Sequence, residues 1–404
     1  MFQHKIQNIA LLGWVFLGIG LILGQVVEVP IPIIGSLSFL DFVILFLGSW
    51  GLVVAVNYKK KLPLFVWFAI LFIVVAILSL VGSLQHLDWV IVIKSSQFLV
   101  RWVLYAGLVF WVFDTTKYLR VTFIKNGSNV LVASIIALVI LGFVQLVFFP
   151  DFGLLEKFGW DPHQNRLAST FLDPNLLGVA LILGLAIILG RWREKKSYSW
   201  IVWGALVLLA ILFTYSRSAL VGLAVLVLGF GIKEWRILIL ILLVFLGVYS
   251  FSPRLQSRIT GALNLDVTAR YRIESLQHGF EILKDNPFLG VGYNTIQYSR
   301  ERYYYQPISN SSTGFDSSLM TVAVTTGWPG LVAYLGIIFS AIWLAFKRFR
   351  QSLYKDGLGF AVSFGTVAVL ASSFFVNSFL YAPVMAIWWV TVGLMWKDYE
   401  DGLV

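Results

Sequence analysis

Apolar residues in this chain come in long unbroken runs, and polar residues form short interruptions between them. A helix needs roughly 20 apolar residues to cross the hydrocarbon core of a bilayer. Runs near that length fall at 9–27, 37–56, 63–84, 90–113, 129–149, 171–190, 198–214, 218–232, 236–252, 318–346, 358–378 and 382–396. The pattern predicts an all-α integral membrane protein of about twelve transmembrane helices, a single polytopic domain over residues 1–404. The runs at 218–232 and 382–396 are short. The run at 318–346 is long, and Gly327-Trp328-Pro329-Gly330 inside it predicts a break or kink. The first run is long for the apolar core of a signal peptide, and no small-x-small cleavage site follows it. It reads as a retained helix.

Composition agrees with this picture. Of 404 residues 59% are apolar and 12% charged, whereas a soluble domain carries about 25% charged residues. The net charge of +10 raises nucleic acid as a partner, but the placement of the charge argues against it. Lys59 to Lys61, Lys117, Arg120, Lys125, Arg191, Arg193, Lys195, Lys196, Lys233, Arg236, Lys347, Arg348, Arg350 and Lys355 all fall in alternate interruptions. With Lys5 and Lys397 they are more than half of the 30 basic residues. The other short interruptions hold only Lys157, Arg166 and Arg217. By the positive-inside rule both termini face the cytoplasm. The same alternation puts two longer segments outside, 151–170 and 253–317, the second between the ninth and tenth runs. Long connections between packed spans are usually functional or disordered. In the second, Ile273, Leu276, Phe280 and Leu283 recur at helical spacing. They predict an amphipathic helix over 272–284, stopped by Asp285-Asn286-Pro287 and followed by a turn at Gly290-Val291-Gly292.

Several polar residues on that outer side carry candidate chemistry. Arg217, in Thr214-Tyr215-Ser216-Arg217-Ser218, sits in a turn of a few residues between two apolar runs. A charge held at a membrane boundary is a functional candidate, with a snorkelling helix-end arginine as the bland alternative. Arg166 precedes the segment that re-enters the membrane, and Arg270 and Arg272 open the amphipathic stretch. Taken singly these are also solvated loop charges. Taken together they make a phosphate clamp, because guanidinium binds phosphate bidentately and keeps its charge. Asp316 stands just before the run at 318–346. A general base for a sugar hydroxyl and an N-cap both fit that position. Lys94, Gln97 and Arg101 form a polar stripe on the fourth run. It reads equally as a groove for lipid-linked phosphate, as a structural network, or as a stretch partly outside the hydrocarbon.

Other chemistries find little support. His4, His86, His163 and His278 are scattered, there are no cysteines, and no paired-acid motif marks a metal site. No Walker A motif is present, so ATP hydrolysis is not predicted, while a divalent cation held by carboxylates stays open. Most Trp and Tyr residues read as interfacial anchors, with Tyr303, Tyr304 and Tyr305 the best sugar-contact candidates.

The ordered set Arg166…Thr170-Phe171…Pro174-Asn175, Ser216-Arg217-Ser218, Arg272…Asn286-Pro287-Phe288-Leu289-Gly290-Val291-Gly292 and Asp316…Gly327…Gly330-Leu331 resembles the O-antigen ligase and polymerase superfamily. The resemblance covers roughly residues 160–345. It implies a GT-C-like fold and a metal-independent, inverting glycosyltransferase at the outer face of the bacterial inner membrane. The implied donor is a glycan on undecaprenyl pyrophosphate; the implied partners are a glycan or lipid-linked acceptor, membrane lipids and a chain-length regulator. Arg217 and Arg272, with Arg166, match the family arginines that hold the donor pyrophosphate. Ligases carry a histidine after the long loop, where this chain has Asp316, so the resemblance leans to the polymerases. Arg217, Arg272 and Asp316 are thus the expected catalytic residues, with Arg166, Arg270, Asn175, Lys94, Arg101 and Tyr304 binding substrate. A ligase acting on lipid A core is the alternative within the class. A lipid-linked oligosaccharide flippase is the alternative outside it, favoured by the Lys94–Arg101 stripe alone.

Overall fold

The computed structural model describes residues 2–31, 35–116, 127–231, 234–264, 266–299, 303 and 314–400. Each predicted run corresponds to a helix. In chain order come α1 (Phe2–Leu23), α2 (Phe39–Val56), α3 (Leu64–Ser83), α4 (Trp89–Thr115), α5 (Ser128–Phe148), α6 (Pro174–Lys195), α7 (Tyr198–Phe213), α8 (Arg217–Gly231) and α9 (Trp235–Phe251). The segment 253–317 holds three further helices, α10 (Pro253–Leu263), α11 (Val267–Asp285) and the short α12 (Ile296–Ser299). The chain continues through α13 (Ser318–Gln351), α14 (Gly357–Ser372) and α15 (Ala382–Glu400). The fold is not wholly helical. A small antiparallel hairpin, β1 (Glu28–Ile31) and β2 (Gly35–Ser38), with Glu28 opposite Ser38, joins α1 to α2. Its β-branched Val29 and Ile31 suit a strand, a signal too short to stand out beside the long runs.

Among the described residues, seven helices are long and apolar enough to cross a membrane: α1 to α6 and α13. An eighth is reached if α9 and the start of α10, bent by 100° at their junction, count as one. The helices α7, α8 and α14, with 16, 15 and 16 residues, extend roughly 22–24 Å at 1.5 Å per residue, short of a ~30 Å hydrocarbon core. α15 is long enough, but its last turn carries Lys397, Asp398 and Glu400. Large apolar side chains such as Phe46, Val56 and Phe148 remain mostly exposed around the bundle. That surface calls for lipid rather than water, as in an integral membrane protein.

Capping residues set where the helices begin. Ser38 and Asp41 form a capping box on α2, Asp173 caps α6 ahead of Pro174, and Ser252, Asp266 and Ser317 cap α10, α11 and α13. α6 is the central helix, with 89% of its apolar window buried. Small residues let other helices approach closely. A methyl group on Gly51 would lie 1.9 Å from the Gly107 carbonyl oxygen, and one on Gly48 would lie 2.2 Å from that of Leu104. These contacts run in the same order along α2 and α4, so the two helices are parallel.

α13 breaks where the sequence predicts. Gly327 has φ 69° and ψ −174° inside it. The turn after α11 docks into the break: Val291 N–H donates to the Val324 carbonyl at 3.0 Å, and Trp328 N–H to that of Pro287 at 2.8 Å. Gly290, at φ 64°, has no room for a side chain, since a Cβ would sit 2.4 Å from the Val324 oxygen. The Asn286–Gly292 turn is therefore a wedge that fixes the helix α11 against the first half of α13. The replacement Gly51→Leu should force α2 and α4 apart and cost about 1–3 kcal/mol or more. Thermal unfolding in detergent checks this, with a clear drop in melting temperature as the expected result.

Candidate functional site

One end of the bundle is knitted together by hydrogen bonds between helix termini. Gln25 N–H, after α1, donates to the Thr170 carbonyl, Leu167 N–H to that of Phe213, and Ser318 N–H to that of Ser373. The Ser372 hydroxyl donates to the Ser218 carbonyl, which ties the end of α14 to the start of α8. Three arginine-bearing segments meet here: the loop before α6, the α7–α8 turn, and the α10–α11 pair.

Arg166 is aimed by a strained loop. Asn165, Ser169 and Leu172 all have positive φ, a costly state that surrounding contacts must enforce. Gln145 supplies them, accepting from the Ala168 and Ser169 amides and donating to the Arg166 carbonyl. The Arg166 guanidinium is buried. It donates to the Thr214 carbonyl at 2.8 Å and to Asn175 Oδ1 at 2.9 Å, and its Nη1 lies 3.4 Å from His163 Nδ1. Asn175 thus positions an arginine, while Asp173 beside it accepts the Asn175 and Leu176 amides as a cap.

Arg217 opens α8 two residues after Tyr215, which sits at φ 50°. Its guanidinium makes a bidentate pair with Asp266, at 3.0 and 2.6 Å. The same carboxylate caps α11 by accepting the Ala269 amide at 3.0 Å. The Arg217 hydrogen bonds hold the Asp266 carboxyl below its usual range. Its folded value is depressed, so the pair contributes in full above the ordinary carboxylate range and is lost as pH falls through the folded value.

Arg272 lies further along α11, half-buried, and its Nε has no hydrogen-bond partner among the described residues. Electrostatic coupling joins Arg166, Arg217 and Arg272 to Arg254 and Arg258 of α10, and to Asp173, Asp266 and Asp316. Five guanidinium groups thus share one region with three carboxylates. Burial, followed by neighbouring charge, pulls the proton affinity of Arg166 and Arg258 below the ordinary guanidinium value. For Arg272 burial does the same, with Asp316 opposing it. Burial and Arg166 push His163 down to about 4, so it is neutral at physiological pH. A buried excess of cations is costly unless an anion joins it. The arrangement is therefore suited to a polyanion.

Asp316 is exposed, in a bend before α13. It is not the cap of that helix. Ser317 takes that role, accepting the Met320 amide at 3.3 Å. The carboxylate instead acts on Arg272, and the capping alternative for it falls away.

Other expectations fare differently. Arg270 is exposed on α11, about 200° around the helix from Arg272. Tyr304, like Tyr305, Lys117, Arg120, Lys125 and Lys233, lies outside the described residues. Tyr303 accepts a hydrogen bond from Asn286 of the wedge turn. On α11 the buried positions are Gly279, Ile282 and Leu283, while Ile273 and Phe280 are exposed, so the face packed on α13 is rotated from the predicted stripe. Lys94 and Arg101 line a separate cavity, where Arg101 is paired with Asp41 through contacts of 2.7 and 2.9 Å. Asp41 is in the first turn of α2 and Arg101 roughly three turns into α4. Arg101 of the stripe therefore stands beside the start of α2. No group of three or more His, Cys, Asp or Glu residues among those described could hold a metal ion. Arg254, Arg258 and His163 are additions. The first two carry a signal in the sequence, four residues apart on one face of a helix opened by Ser252-Pro253.

The family model of the O-antigen ligases matches residues 202–335. That span runs from α7 into the broken α13 and contains Arg217, Arg254, Arg258, Asp266, Arg272 and Asp316, while Arg166 and Asn175 precede it. No curated protein matches the chain. Inorganic pyrophosphate should raise the melting temperature of the detergent-purified protein. Arg272→Ala should weaken that binding about tenfold, or ~1.4 kcal/mol. Asp266→Asn, which keeps an oxygen for the Ala269 amide and removes the competing charge, should strengthen it several-fold. Titration calorimetry measures both.

Proposed function

We propose that this protein, whose residues 202–335 match the O-antigen ligase family model, is a glycosyltransferase of the polymerase type. It moves a glycan from undecaprenyl pyrophosphate to a hydroxyl of a second glycan, with inversion and without a metal. The observation that carries this reading is the partly buried excess of arginine around Arg166, Arg217 and Arg272, surroundings that suit a diphosphate leaving group.

In the proposed reaction the acceptor oxygen attacks the anomeric carbon from the face opposite the pyrophosphate. The new glycosidic bond forms as the anomeric carbon–phosphate oxygen bond breaks. The acceptor proton passes to Asp316, and the lipid diphosphate leaves with its added charge held by Arg217 and Arg272. Arg166 supports the same phosphates, with Asn175 and the Thr214 carbonyl fixing its aim. An exposed carboxylate coupled to Arg272 is placed to take a proton from an acceptor hydroxyl.

We further propose that all twelve long helices traverse the bilayer in a GT-C-like arrangement, with the arginine cluster outside and both termini in the cytoplasm. The distribution of basic residues supports this. Away from the cluster, at the other end of the bundle, Arg193 donates to the Phe230 and Tyr354 carbonyls, Arg348 pairs with Asp356 and Asp398, and Lys60 pairs with Glu400. The short helices α7, α8 and α14 pack on the buried α6, and a locally thinner bilayer accommodates their length. Transfer to lipid A core, the ligase activity, is the second reading, because the matching family model describes O-antigen ligases.

Purified protein given lipid-linked repeat units should extend them into polymer, with lipid A core as the parallel acceptor that reports ligase activity. Arg217→Ala should abolish transfer while leaving membrane insertion intact, and Asp316→Asn should lower kcat about 100-fold or more. Near-normal transfer by Arg217→Ala would sink the site assignment.

A further inference from the structure

Beside the arginine cluster, between α4 and α13, lies a cavity of about 610 Å³, within the size range of sites that enclose small organic ligands. One wall is the α4 stripe, with Lys94, Arg101 and Trp102. Facing it are Asn294 and Gln297 from the connector after α11, Thr321 of α13 and Asn377 of the α14–α15 turn. A second, more open cavity of about 720 Å³ shares Gln297 and Tyr298 with the first and continues along the α3–α4 turn. Together they offer amides, hydroxyls and aromatic rings along one continuous wall. Planar amides and hydroxyls suit sugar hydroxyls, and ring faces suit the apolar side of a pyranose.

Two groups in the first cavity are uncompensated. Arg101 is not one of them: Asp41 neutralises it, and Tyr105 donates to the same carboxylate at 2.8 Å. Lys94 has no ion-pair partner among the described residues, so it leaves one net positive charge in the lining. The side-chain oxygen of Asn377 is buried with no hydrogen-bond partner. The cavity therefore asks for a ligand with a negative charge at one point and a donating hydroxyl at another.

The cavity also adjoins the proposed chemistry. The Thr321 hydroxyl accepts the amide of Phe315, the neighbour of Asp316, at 3.3 Å. Next to the lining residue Leu380, Tyr381 feels both Arg101 and Asp173, the carboxylate that also acts on Arg166 and Arg272. Cavity and arginine cluster are thus neighbouring halves of one site.

We propose that the cavity is the acceptor subsite and that it selects a glycan whose accepting end carries an acidic sugar, with Lys94 as the specificity-determining residue. This rests on the glycosyltransferase reading and adds to it the chemical class of the acceptor. The Lys94 ammonium pairs with the sugar carboxylate, and the Asn377 oxygen accepts from a hydroxyl of the same residue.

The test uses a glucuronic acid-containing disaccharide and its carboxyl-reduced, neutral counterpart. Calorimetric titration of the full-length protein in detergent should show about tenfold tighter binding of the acidic form. Lys94→Gln should erase that preference by weakening only the acidic ligand, while pyrophosphate binding at the arginine cluster stays unchanged. Equal affinity for the two disaccharides, or a preference that survives Lys94→Gln, overturns the proposal. So does competition between pyrophosphate and the disaccharide at Lys94, which would make the cavity part of the donor phosphate site. Binding that behaves as proposed in a protein that transfers no glycan would instead count against the glycosyltransferase reading alone. Transfer to acidic and neutral acceptors at equal rates would do the reverse.

Discussion

Asp266 carries more of this site than any other single group. Its carboxylate takes both arms of Arg217 and, at the same time, the Ala269 amide in the first turn of α11. One side chain thereby joins the start of α8 to the helix that carries Arg272. At its other end α11 is held by the Asn286–Gly292 wedge in the break of α13, whose first turn follows Asp316. The positions of Arg217, Arg272 and Asp316 are therefore not independent. They are set by one ion pair and one backbone wedge, and the strained loop carrying Arg166 is fastened to the same end through the Thr214 and Phe213 carbonyls.

Such a site stores unfavourable electrostatics. Guanidinium groups gathered under partial burial repel one another, and three carboxylates offset them only in part. The bundle tolerates the cost because Arg166, Arg217 and Arg254 are tied to backbone carbonyls, an amide oxygen or a carboxylate. The unmet remainder is what an incoming diphosphate would satisfy. A competing carboxylate at Arg217 also gives selectivity: a singly charged anion gains little by replacing Asp266, whereas a diphosphate brings more charge than it displaces.

Much of the fold is legible in the sequence, because lipid imposes long apolar runs and each run became a helix. The break at Gly327, the stop at Asp285 and the turn at Gly290 were equally readable, since proline and glycine act locally. The hairpin at Glu28–Ser38 was not, being too short to show a period. The orientation of α11 was missed for a related reason. Periodicity gave an apolar face, but Gly279 settled which face packs, because only there can Met320 of α13 come close. In the site, Arg166, Arg217 and Arg272 stood out through their order along the chain. Arg254 and Arg258 carry only their spacing on α10, which folds back at 100° to α9. Asp266 left no local sign of its long-range partner. The opposite held for Lys94 and Arg101, whose spacing made one stripe, although the fold separates a neutralised arginine from an uncompensated lysine.

The central claim, that the arginine cluster holds the donor diphosphate, is tested most directly by a cryo-electron microscopy map of the protein bound to undecaprenyl pyrophosphate. The account predicts the two phosphates between Arg217 and Arg272, with Arg166 in contact and the Arg217–Asp266 pair opened or shared. Phosphate density lodged against Lys94 and Arg101, with the Arg217–Asp266 pair intact, would contradict it.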